Sequence, residues 1–297
     1  MTDRFTSDNH PFVTPDVVNA LPSKPADFRS SYGPMPPQFG ELRIPAGQGP
    51  YPVAVVLHGG CWLSIYADLR NADALADALR DEGIATWNVE YRCVDQAGGG
   101  WPGTFLDAGS ATDHLHTLAA DHDLDLDRVI SIGHSAGGHL ALWTAARHRL
   151  PTDSPLWIAD PLSLRGTVVL GGPGDLKRFV PHADAECRQG VVAELLGGAG
   201  VSSKELEKRM AGRFRYGSPV EMLPLGLPQV MISTEHDWVV PLELGVAYAA
   251  AAHAAGDPVE HVIIPNAGHH EFMVPGSVTW PAVSQAVRSL LEIRDDH

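Results

Sequence analysis

A serine bracketed by glycines, in the segment Gly133-His134-Ser135-Ala136-Gly137, follows an apolar run of strand length and opens a helical pattern. A serine in a sharp strand-to-helix turn needs glycine two positions away on both sides, because side chains there would clash with the crossing backbone. Such a turn raises the hydroxyl above the sheet, at the positive end of the following helix. The segment therefore predicts a strand, a tight turn and a helix, with Ser135 exposed as a nucleophile.

Apolar runs of strand length alternate with longer helical patterns from about residue 27 onward. We predict an antiparallel pair at 27–33 and 39–45, then strands at 53–57, 84–91, 129–132, 167–170, 229–233 and 261–264. We predict helices at 67–81, 104–120, 136–149, 241–255 and 279–293. Most of the strand runs are apolar throughout, as in strands covered on both faces, so the pattern predicts an α/β fold with a mostly parallel sheet flanked by helices.

Two segments depart from this alternation. Residues 1–26 are polar and contain four prolines, which predicts an extended N-terminal arm. Residues 172–226 are too long for a simple crossover, so we predict a short, mostly helical cap over the site. The remainder, 27–297, is predicted to be one catalytic domain, because a chain of 297 residues with 44% hydrophobic content can bury one large core.

A second glycine-rich segment, residues 58–62 (HGGCW), follows one of the predicted parallel strands. Glycines at this place let backbone N–H groups turn inward toward a developing negative oxygen. We predict an oxyanion hole formed by the N–H groups of Gly60, Cys61 and Ala136, and we expect His58 to brace the loop by hydrogen bonding.

A serine hydroxyl needs a histidine to take its proton and a carboxylate to orient that histidine. In this fold class the acid and then the base follow the serine along the chain. Asp237, just past the penultimate predicted strand, is our choice of acid, and Glu235 is the alternative. His269 is our choice of base over His270, because the glycine before it frees the last loop to approach the serine.

Four aromatic residues lie in loops at the predicted carboxyl ends of strands, where ligands bind in open α/β sheets. They are Trp62, Trp101, Trp238 and Phe272. A single tryptophan in such a loop is more often packed between loop and core. Four together favour a substrate pocket for a small or aromatic group.

The three cysteines, Cys61, Cys93 and Cys187, form an odd and widely spaced set. Their spacing argues against a disulfide framework and against a structural zinc site, so we predict three thiols. The cluster of histidine, acidic and cysteine residues at 182–187 matches no standard metal site. We therefore expect no metal and no organic cofactor.

The formal net charge of -15 excludes partners that bind through clustered Lys and Arg, namely nucleic acid and anionic membrane surfaces. No stretch approaches the roughly 18 consecutive apolar residues of a membrane span, and the first ten residues lack an apolar signal core, which predicts a cytoplasmic protein. The expected partner is a small-molecule ester or amide substrate. The oligomeric state stays open between a monomer and a homodimer.

Taken together, these segments resemble a group of bacterial α/β hydrolases related to kynurenine formamidases and to esterases of the hormone-sensitive-lipase type. The resemblance covers about residue 27 to the end and rests on four segments: 58–62, 133–140, 237–241 and 268–269. It implies an α/β-hydrolase fold with a twisted eight-stranded sheet, and site residues at the positions assigned above. The chain departs at Cys61, where lipase-type esterases commonly carry a third glycine and formamidases of this group often carry an aromatic residue.

The function implied is that of a serine hydrolase that cleaves carboxylic esters of small or aromatic substrates through an acyl-enzyme intermediate. An arylformamidase acting on N-formylkynurenine is the alternative enzyme. A non-catalytic ligand receptor is the alternative from another class, since a fold does not determine a function. Such a receptor would be expected to lose a member of the triad, whereas Ser135, Asp237 and His269 are all present.

Overall fold

One eight-stranded sheet forms the centre of the molecule in a computed structural model that describes residues 12–293. Its strands are Phe28–Ser31 (β1), Phe39–Arg43 (β2), Tyr51–Leu57 (β3), Ala85–Val89 (β4), Leu124–His134 (β5), Gly166–Leu170 (β6), Gln229–Thr234 (β7) and Val259–Ile264 (β8). Their order in the sheet is β1-β2-β4-β3-β5-β6-β7-β8. Strand β2 pairs antiparallel with β1 and β4, and every other pair is parallel. The predicted fold class is confirmed.

Eleven α-helices accompany the sheet within the described residues. They are Pro15–Asn19 (α1), Asp73–Asp81 (α2), Gly103–Asp113 (α3), Leu115–His122 (α4), Ala136–Ala146 (α5), Leu176–His182 (α6), Val191–Leu195 (α7), Ser203–Arg209 (α8), Ala211–Gly217 (α9), Leu242–Ala254 (α10) and Trp280–Leu290 (α11). Across residues 12–293, no helix combines the length and the apolar character needed to cross a membrane.

Two predicted segments differ from the structure in detail. The arm predicted at 1–26 contains the short helix α1 in place of a fully extended chain, and its first eleven residues lie outside the described part. The helix predicted at 104–120 is two helices, α3 and α4, that meet at His114.

Side chains of the central strands alternate between two hydrophobic clusters, one on each face of the sheet. In β3, Val53, Val55 and Leu57 belong to one cluster, and Ala54 and Val56 belong to the other. This is the period of two that a strand imposes on its side chains. Because both faces are covered, the strand is apolar throughout, as its sequence indicated.

Helix α5 is buried along its whole length, between β5 and β6 on one side and α3 on the other. A helix that is apolar on all sides can be stable only in such a position. The helix begins immediately after Ser135, so the packing of α5 determines where the serine lies.

The connection from β6 to β7 contains the segment predicted as a cap, which we call the helical insertion (residues 172–226). It contains α6, α7, α8 and α9, and a π-helical turn at Ala183–Cys187 follows α6 directly. Ala183 is fully buried in the main hydrophobic cluster, which packs the insertion onto the rest of the protein.

Candidate active site

Ser135 has an unfavourable backbone conformation at the sharp strand-to-helix turn, with φ 55° and ψ -120°. A left-handed φ is unfavourable for any residue except glycine, so the surroundings must hold it. The N–H of Ser135 donates to the carbonyl of Leu170 at 2.9 Å, and its own carbonyl accepts from the N–H of His139 at 3.1 Å. The serine is thereby tied to β6 at one end and to the first turn of α5 at the other.

The glycines on either side of Ser135 are required by backbone contacts. A Cβ on Gly133 would lie 2.1 Å from the carbonyl oxygen of Gly137. A Cβ on Gly137 would lie 2.0 Å from the carbonyl oxygen of Leu57, at the end of β3. No side chain fits at either place, so the sequence pattern follows directly from the close approach of α5 to the sheet.

Asp237 and His269 form a buried pair, 6% and 2% exposed, in the loops after β7 and β8. Asp237 Oδ2 lies 2.7 Å from His269 Nδ1. Its other oxygen, Oδ1, accepts from the N–H groups of Val239 at 2.9 Å and Val240 at 2.7 Å. The two oxygens of Asp237 thus accept from all three N–H donors, and this arrangement orients the imidazole of His269.

The alternative acid points away from this pair. The Glu235 side chain is half-exposed, and its carboxylate accepts from the N–H of Asn266 at 3.2 Å. The structure therefore brings Asp237, and not Glu235, to the base preferred from the sequence.

The rings of His134, His269 and His270 form a compact cluster, in which that of His270 lies 5.0 Å from His269 and 5.8 Å from His134. The ring of His134 is 4.6 Å from that of His269, and its Nε2–H donates to the His269 carbonyl at 2.8 Å. Burial, and then the neighbouring His269, holds the pKa of His134 well below its usual value, so the ring stays neutral. Burial likewise lowers the pKa of His270, whose ring lies 6.0 Å from that of Trp238.

Gly171, the first residue after β6, brings the serine and the acid–base pair together. It follows Leu170, which accepts the N–H of Ser135. Its φ is 52°, and a Cβ would lie 2.9 Å from Asp237 Oδ2 and 3.6 Å from His269 Nδ1. Gly171 was not predicted as a site residue from the sequence.

Glu271 is a second residue that the sequence analysis missed. Its buried carboxylate accepts the N–H of Gly268 at 3.0 Å and the N–H of Val13 at 2.9 Å. The carbonyl of Gly268 in turn accepts from the Thr234 hydroxyl at 2.8 Å. Gly268, the residue before His269, is therefore held by hydrogen bonds at both its N–H and its carbonyl. The N-terminal segment is attached to the same loop through Val13.

The loop after β3 lies against the serine. A Cβ on Gly59 would be 3.4 Å from Ser135 Cβ. The next residues make a turn in which the N–H of Leu63 donates to the carbonyl of Gly60 at 2.8 Å, with left-handed φ at Cys61 (55°) and Trp62 (57°). We call residues 59–62 the oxyanion loop, after its predicted role.

The predicted oxyanion donors are available for a ligand. Within residues 12–293, the N–H groups of Gly60, Cys61 and Ala136 donate to no other group of the protein. Ala136 is buried next to Ser135, whereas Gly60 and Cys61 are partly exposed, and all three N–H groups can donate to an acceptor oxygen of a ligand.

A buried histidine–carboxylate pair lies behind the oxyanion loop. His58 Nε2 is 3.2 Å from Glu90 Oε1, and the Tyr91 hydroxyl donates to the His58 carbonyl at 2.8 Å. Burial alone would lower the pKa of His58, but the Glu90 carboxylate beside it raises the pKa above the usual value. His58 is thus held through both its side chain and its backbone.

The prediction of three thiols is wrong. Cys61 and Cys187 form a disulfide, with Cα atoms 5.8 Å apart, and Cys93 is a buried free thiol. The two bonded cysteines are 126 residues apart, and their proximity depends on how the helical insertion packs against the loop after β3. The cytoplasmic location stays a prediction, and this bond argues against it, because lasting disulfides are typical of oxidising compartments.

Two of the four predicted pocket aromatics belong to the core. Trp62 and Phe272 have no exposed surface. The Trp62 ring packs edge-on against His139 at 5.3 Å and Phe179 at 6.1 Å. The left-handed turn at positions 61 and 62 directs this side chain inward, so the prediction that it lines an open pocket is wrong, as it is for Phe272. Trp101 and Trp238 are half-buried.

Comparison with known proteins gives one curated relative. The chain is 25% identical over 248 residues to Esterase LipQ of Mycobacterium tuberculosis, covering 82% of this chain. The match spans 55% of LipQ, so the chain corresponds to about half the length of that relative.

Solved structures share the fold. A truncated carbohydrate esterase from gut microbiota superimposes with a TM-score of 0.73 at 17% identity, covering 90% of this chain and 99% of the other. The esterase Est2 of Thermogutta terrifontis superimposes with a TM-score of 0.69 at 20% identity, covering 91% and 93% of the two chains.

The family assignment rests on a longer part of the chain than any single motif. The matched region, residues 42–250, includes the oxyanion loop, the turn at Ser135 and the predicted acid Asp237, although the predicted base His269 lies beyond it. Because this match covers well over half of the sequence, the chain belongs to the BD-FAE family.

Proposed function

We propose that the protein is a carboxylic ester hydrolase in which Ser135 is the nucleophile. The observation that carries the proposal is the buried pair of Asp237 and His269, joined at 2.7 Å, with His269 packed 4.6 Å from the ring of His134, the residue before the serine. A histidine oriented by a carboxylate activates a serine hydroxyl by accepting its proton. The names of LipQ and of the two esterase structures support the same reaction class.

In the first step, His269 takes the hydroxyl proton of Ser135 through Nε2 as the serine oxygen attacks the ester carbonyl. Asp237 accepts the Nδ1–H bond throughout and stabilises the imidazolium that forms. The carbonyl oxygen becomes an oxyanion, which accepts from the free N–H groups of Gly60, Cys61 and Ala136. His269 then gives its proton to the departing alcohol, which leaves an acyl group on Ser135.

In the second step, a water molecule takes the place of the alcohol. His269 accepts one proton of this water, the resulting hydroxide attacks the acyl carbon, and the same three N–H groups stabilise the second oxyanion. The proton returns to Ser135 as the carboxylic acid leaves. The cycle consumes one water for each ester bond and restores the enzyme.

Small or aromatic esters are the substrates that we propose. Trp101 and Trp238 are the predicted pocket aromatics that retain exposed surface, and the ring of Trp238 lies 6.0 Å from that of His270, next to the base. Flat aromatic rings offer apolar area at a small entropic cost to an acyl or aryl group.

The test compares initial rates on p-nitrophenyl acetate, p-nitrophenyl butyrate and N-formylkynurenine. We expect the purified protein to hydrolyse both esters, and Ser135→Ala to lose at least about 10³-fold in kcat/KM. Ser289→Ala, an exposed serine on α11, is the matched control and keeps the full rate. A preference for the formyl amide over both esters would replace the proposal with an arylformamidase, and full activity of Ser135→Ala would end it.

A further inference from the structure

The oxyanion loop holds an unfavourable backbone conformation at two adjacent residues that are not glycine. Cys61 and Trp62 both have left-handed φ angles, and Gly60 before them has a φ of 97°. Such conformations persist only where other contacts over-determine them. The proposed N–H donors of Gly60 and Cys61 belong to this turn, so whatever holds the turn also aims the donors.

Packing holds one side of the turn. Trp62 is fully buried against His139 and Phe179, and its carbonyl accepts from the N–H of Val94 at 2.9 Å. These contacts act on the residue after the donors. The peptide between Gly60 and Cys61 is held at its carbonyl, which accepts from the N–H of Leu63 at 2.8 Å, while the Cys61 N–H donates to no group among residues 12–293.

The disulfide holds the other side. Cys61 is bonded to Cys187, and the hydroxyl of Tyr66, just beyond the oxyanion loop, donates to the carbonyl of Cys187 at 3.1 Å. Cys187 ends the π-helical turn that begins at the fully buried Ala183. Cys187, to which Cys61 is bonded, therefore belongs to a helical turn that is packed against the core.

We propose that Cys187 is a positioning residue for the hydrolytic reaction. It acts through Cys61: the disulfide restricts rotation of the peptide that presents the Cys61 N–H, and keeps that donor aimed at the oxyanion. Donors that are pre-oriented toward developing charge stabilise the transition state more than the substrate. The proposal rests on the proposed function, and it explains why this chain carries a cysteine where the related esterases commonly have glycine.

The primary test is Cys187→Ala, which removes the bond and leaves Cys61 in the loop. Deleting one oxyanion donor costs about 10² to 10³ in kcat. A donor that is loosened but present is expected to cost less, about 10-fold in kcat for p-nitrophenyl acetate, with KM within about two-fold. Cys93→Ala is the matched control, because Cys93 takes no part in the disulfide or in the site.

A tetrahedral adduct separates positioning from general stability. Phenylboronic acid adds to a serine hydroxyl and places a negative oxygen in the oxyanion hole. We expect its Ki to rise about 10-fold in Cys187→Ala, in parallel with the loss of kcat, while the binding of benzoate, a product analogue, stays unchanged. A purely structural role would lower the melting temperature without this split.

Reduction of the disulfide gives an independent test of the proposal that does not require a substitution of Cys61 or Cys187. Dithiothreitol transfers two electrons and two protons to the Cys61–Cys187 bond, which yields two thiols and the cyclic disulfide of the reagent. In the Cys93→Ala protein we expect the same 10-fold loss of kcat, reversed on reoxidation. In Cys187→Ala the reagent is expected to change nothing.

Three results would overturn the proposal. They are an unchanged kcat in Cys187→Ala, an unchanged kcat after reduction is complete by intact mass, and free thiols at both positions in protein oxidised in air. A wild-type protein without Ser135-dependent ester hydrolysis would instead refute the proposed function, so the two failures are distinguishable.

Discussion

Asp237 Oδ2 and His269 Nδ1 meet at 2.7 Å in a place where both side chains are almost fully buried. The two residues come from neighbouring loops that are joined by the hydrogen bond from Thr234 to Gly268. Removing the charge of one partner in a buried pair costs far more than removing an exposed one, because the other partner is left uncompensated. Substitutions at this pair are therefore expected to affect both activity and stability.

Asp237→Asn keeps the shape of the acid and removes its charge. An amide cannot accept from His269 and from the two N–H groups of Val239 and Val240 together, so the imidazole loses its orientation. We expect kcat to fall by about 10⁴-fold, the size seen when a buried triad carboxylate is replaced in this way. The measurement is steady-state hydrolysis of p-nitrophenyl acetate, and a loss below about 10-fold would remove Asp237 from the triad.

Gly171→Ala introduces one methyl group next to the pair. Its Cβ would lie 2.9 Å from Asp237 Oδ2, so the carboxylate must move away from His269. We expect a loss of at least about 10²-fold in kcat and a destabilisation of about 1–2 kcal/mol from the left-handed backbone.

Gly190→Ala is the matched control for that change. Gly190 also has a left-handed φ, 80°, but a Cβ there meets open space. We expect a similar loss of unfolding free energy by urea titration and a normal kcat. Equal activity in the two alanine variants would contradict the role given to Gly171.

Glu271→Gln tests the support of the base loop. The glutamine keeps one acceptor oxygen and turns an NH₂ group toward either Gly268 or Val13, whose N–H groups now reach the carboxylate. We expect about 1–3 kcal/mol of destabilisation and a fall in kcat of about 10-fold. Glu292→Gln serves as the control, because Glu292 forms only an exposed ion pair with Arg165 and is expected to be neutral in both assays.

We expect the free energy of unfolding to fall in mild acid because His139 is buried in its neutral form. Burial lowers its pKa to about 4, while its Nε2–H donates to the Gly217 carbonyl at 2.8 Å. In the unfolded chain His139 binds a proton below about pH 6.5, whereas in the folded protein it binds one only below about pH 4. The contribution of neutral His139 to the free energy of unfolding is therefore fully present above pH 6.5 and declines below it. The free energy of unfolding falls by about 3 kcal/mol through this one group by about pH 4.

His139→Gln keeps a donor for Gly217 and removes the titration. Urea titrations near pH 7.5 and near pH 5 should show a difference in unfolding free energy that is smaller in the variant by about 2 kcal/mol. The lowered pKa of His134 acts in the same direction in both proteins and cancels in the comparison. An identical pH dependence would show that His139 is not held neutral.

The parts of the site that depend on local chain geometry could be predicted from the sequence. The turn at Ser135 requires glycine at 133 and 137 because the backbone of α5 comes within contact distance of β5 at Gly133 and of β3 at Gly137, so five consecutive residues are enough to predict it. Asp237 and His269 were predictable for a related reason, since parallel strands bring their carboxyl ends to one edge of the sheet.

Contacts between distant segments could not be predicted in this way. Cys61 and Cys187 are 126 residues apart, and Val13 and Glu271 are 258 residues apart. Both contacts depend on packing that no periodicity records. The prediction that Trp62 lines a pocket was wrong for another reason. A sequence pattern places Trp62 in a loop but does not show which way its side chain points, and in the structure it points into the core.

The most direct test of the central claim is covalent labelling of Ser135. A fluorophosphonate should react once per chain with the wild-type protein, and peptide mass spectrometry should place the phosphonyl group on Ser135. The Ser135→Ala protein should remain unlabelled, while Ser289→Ala should label fully. A label on any other residue, or an equal label in Ser135→Ala, would contradict the assignment of Ser135 as the nucleophile.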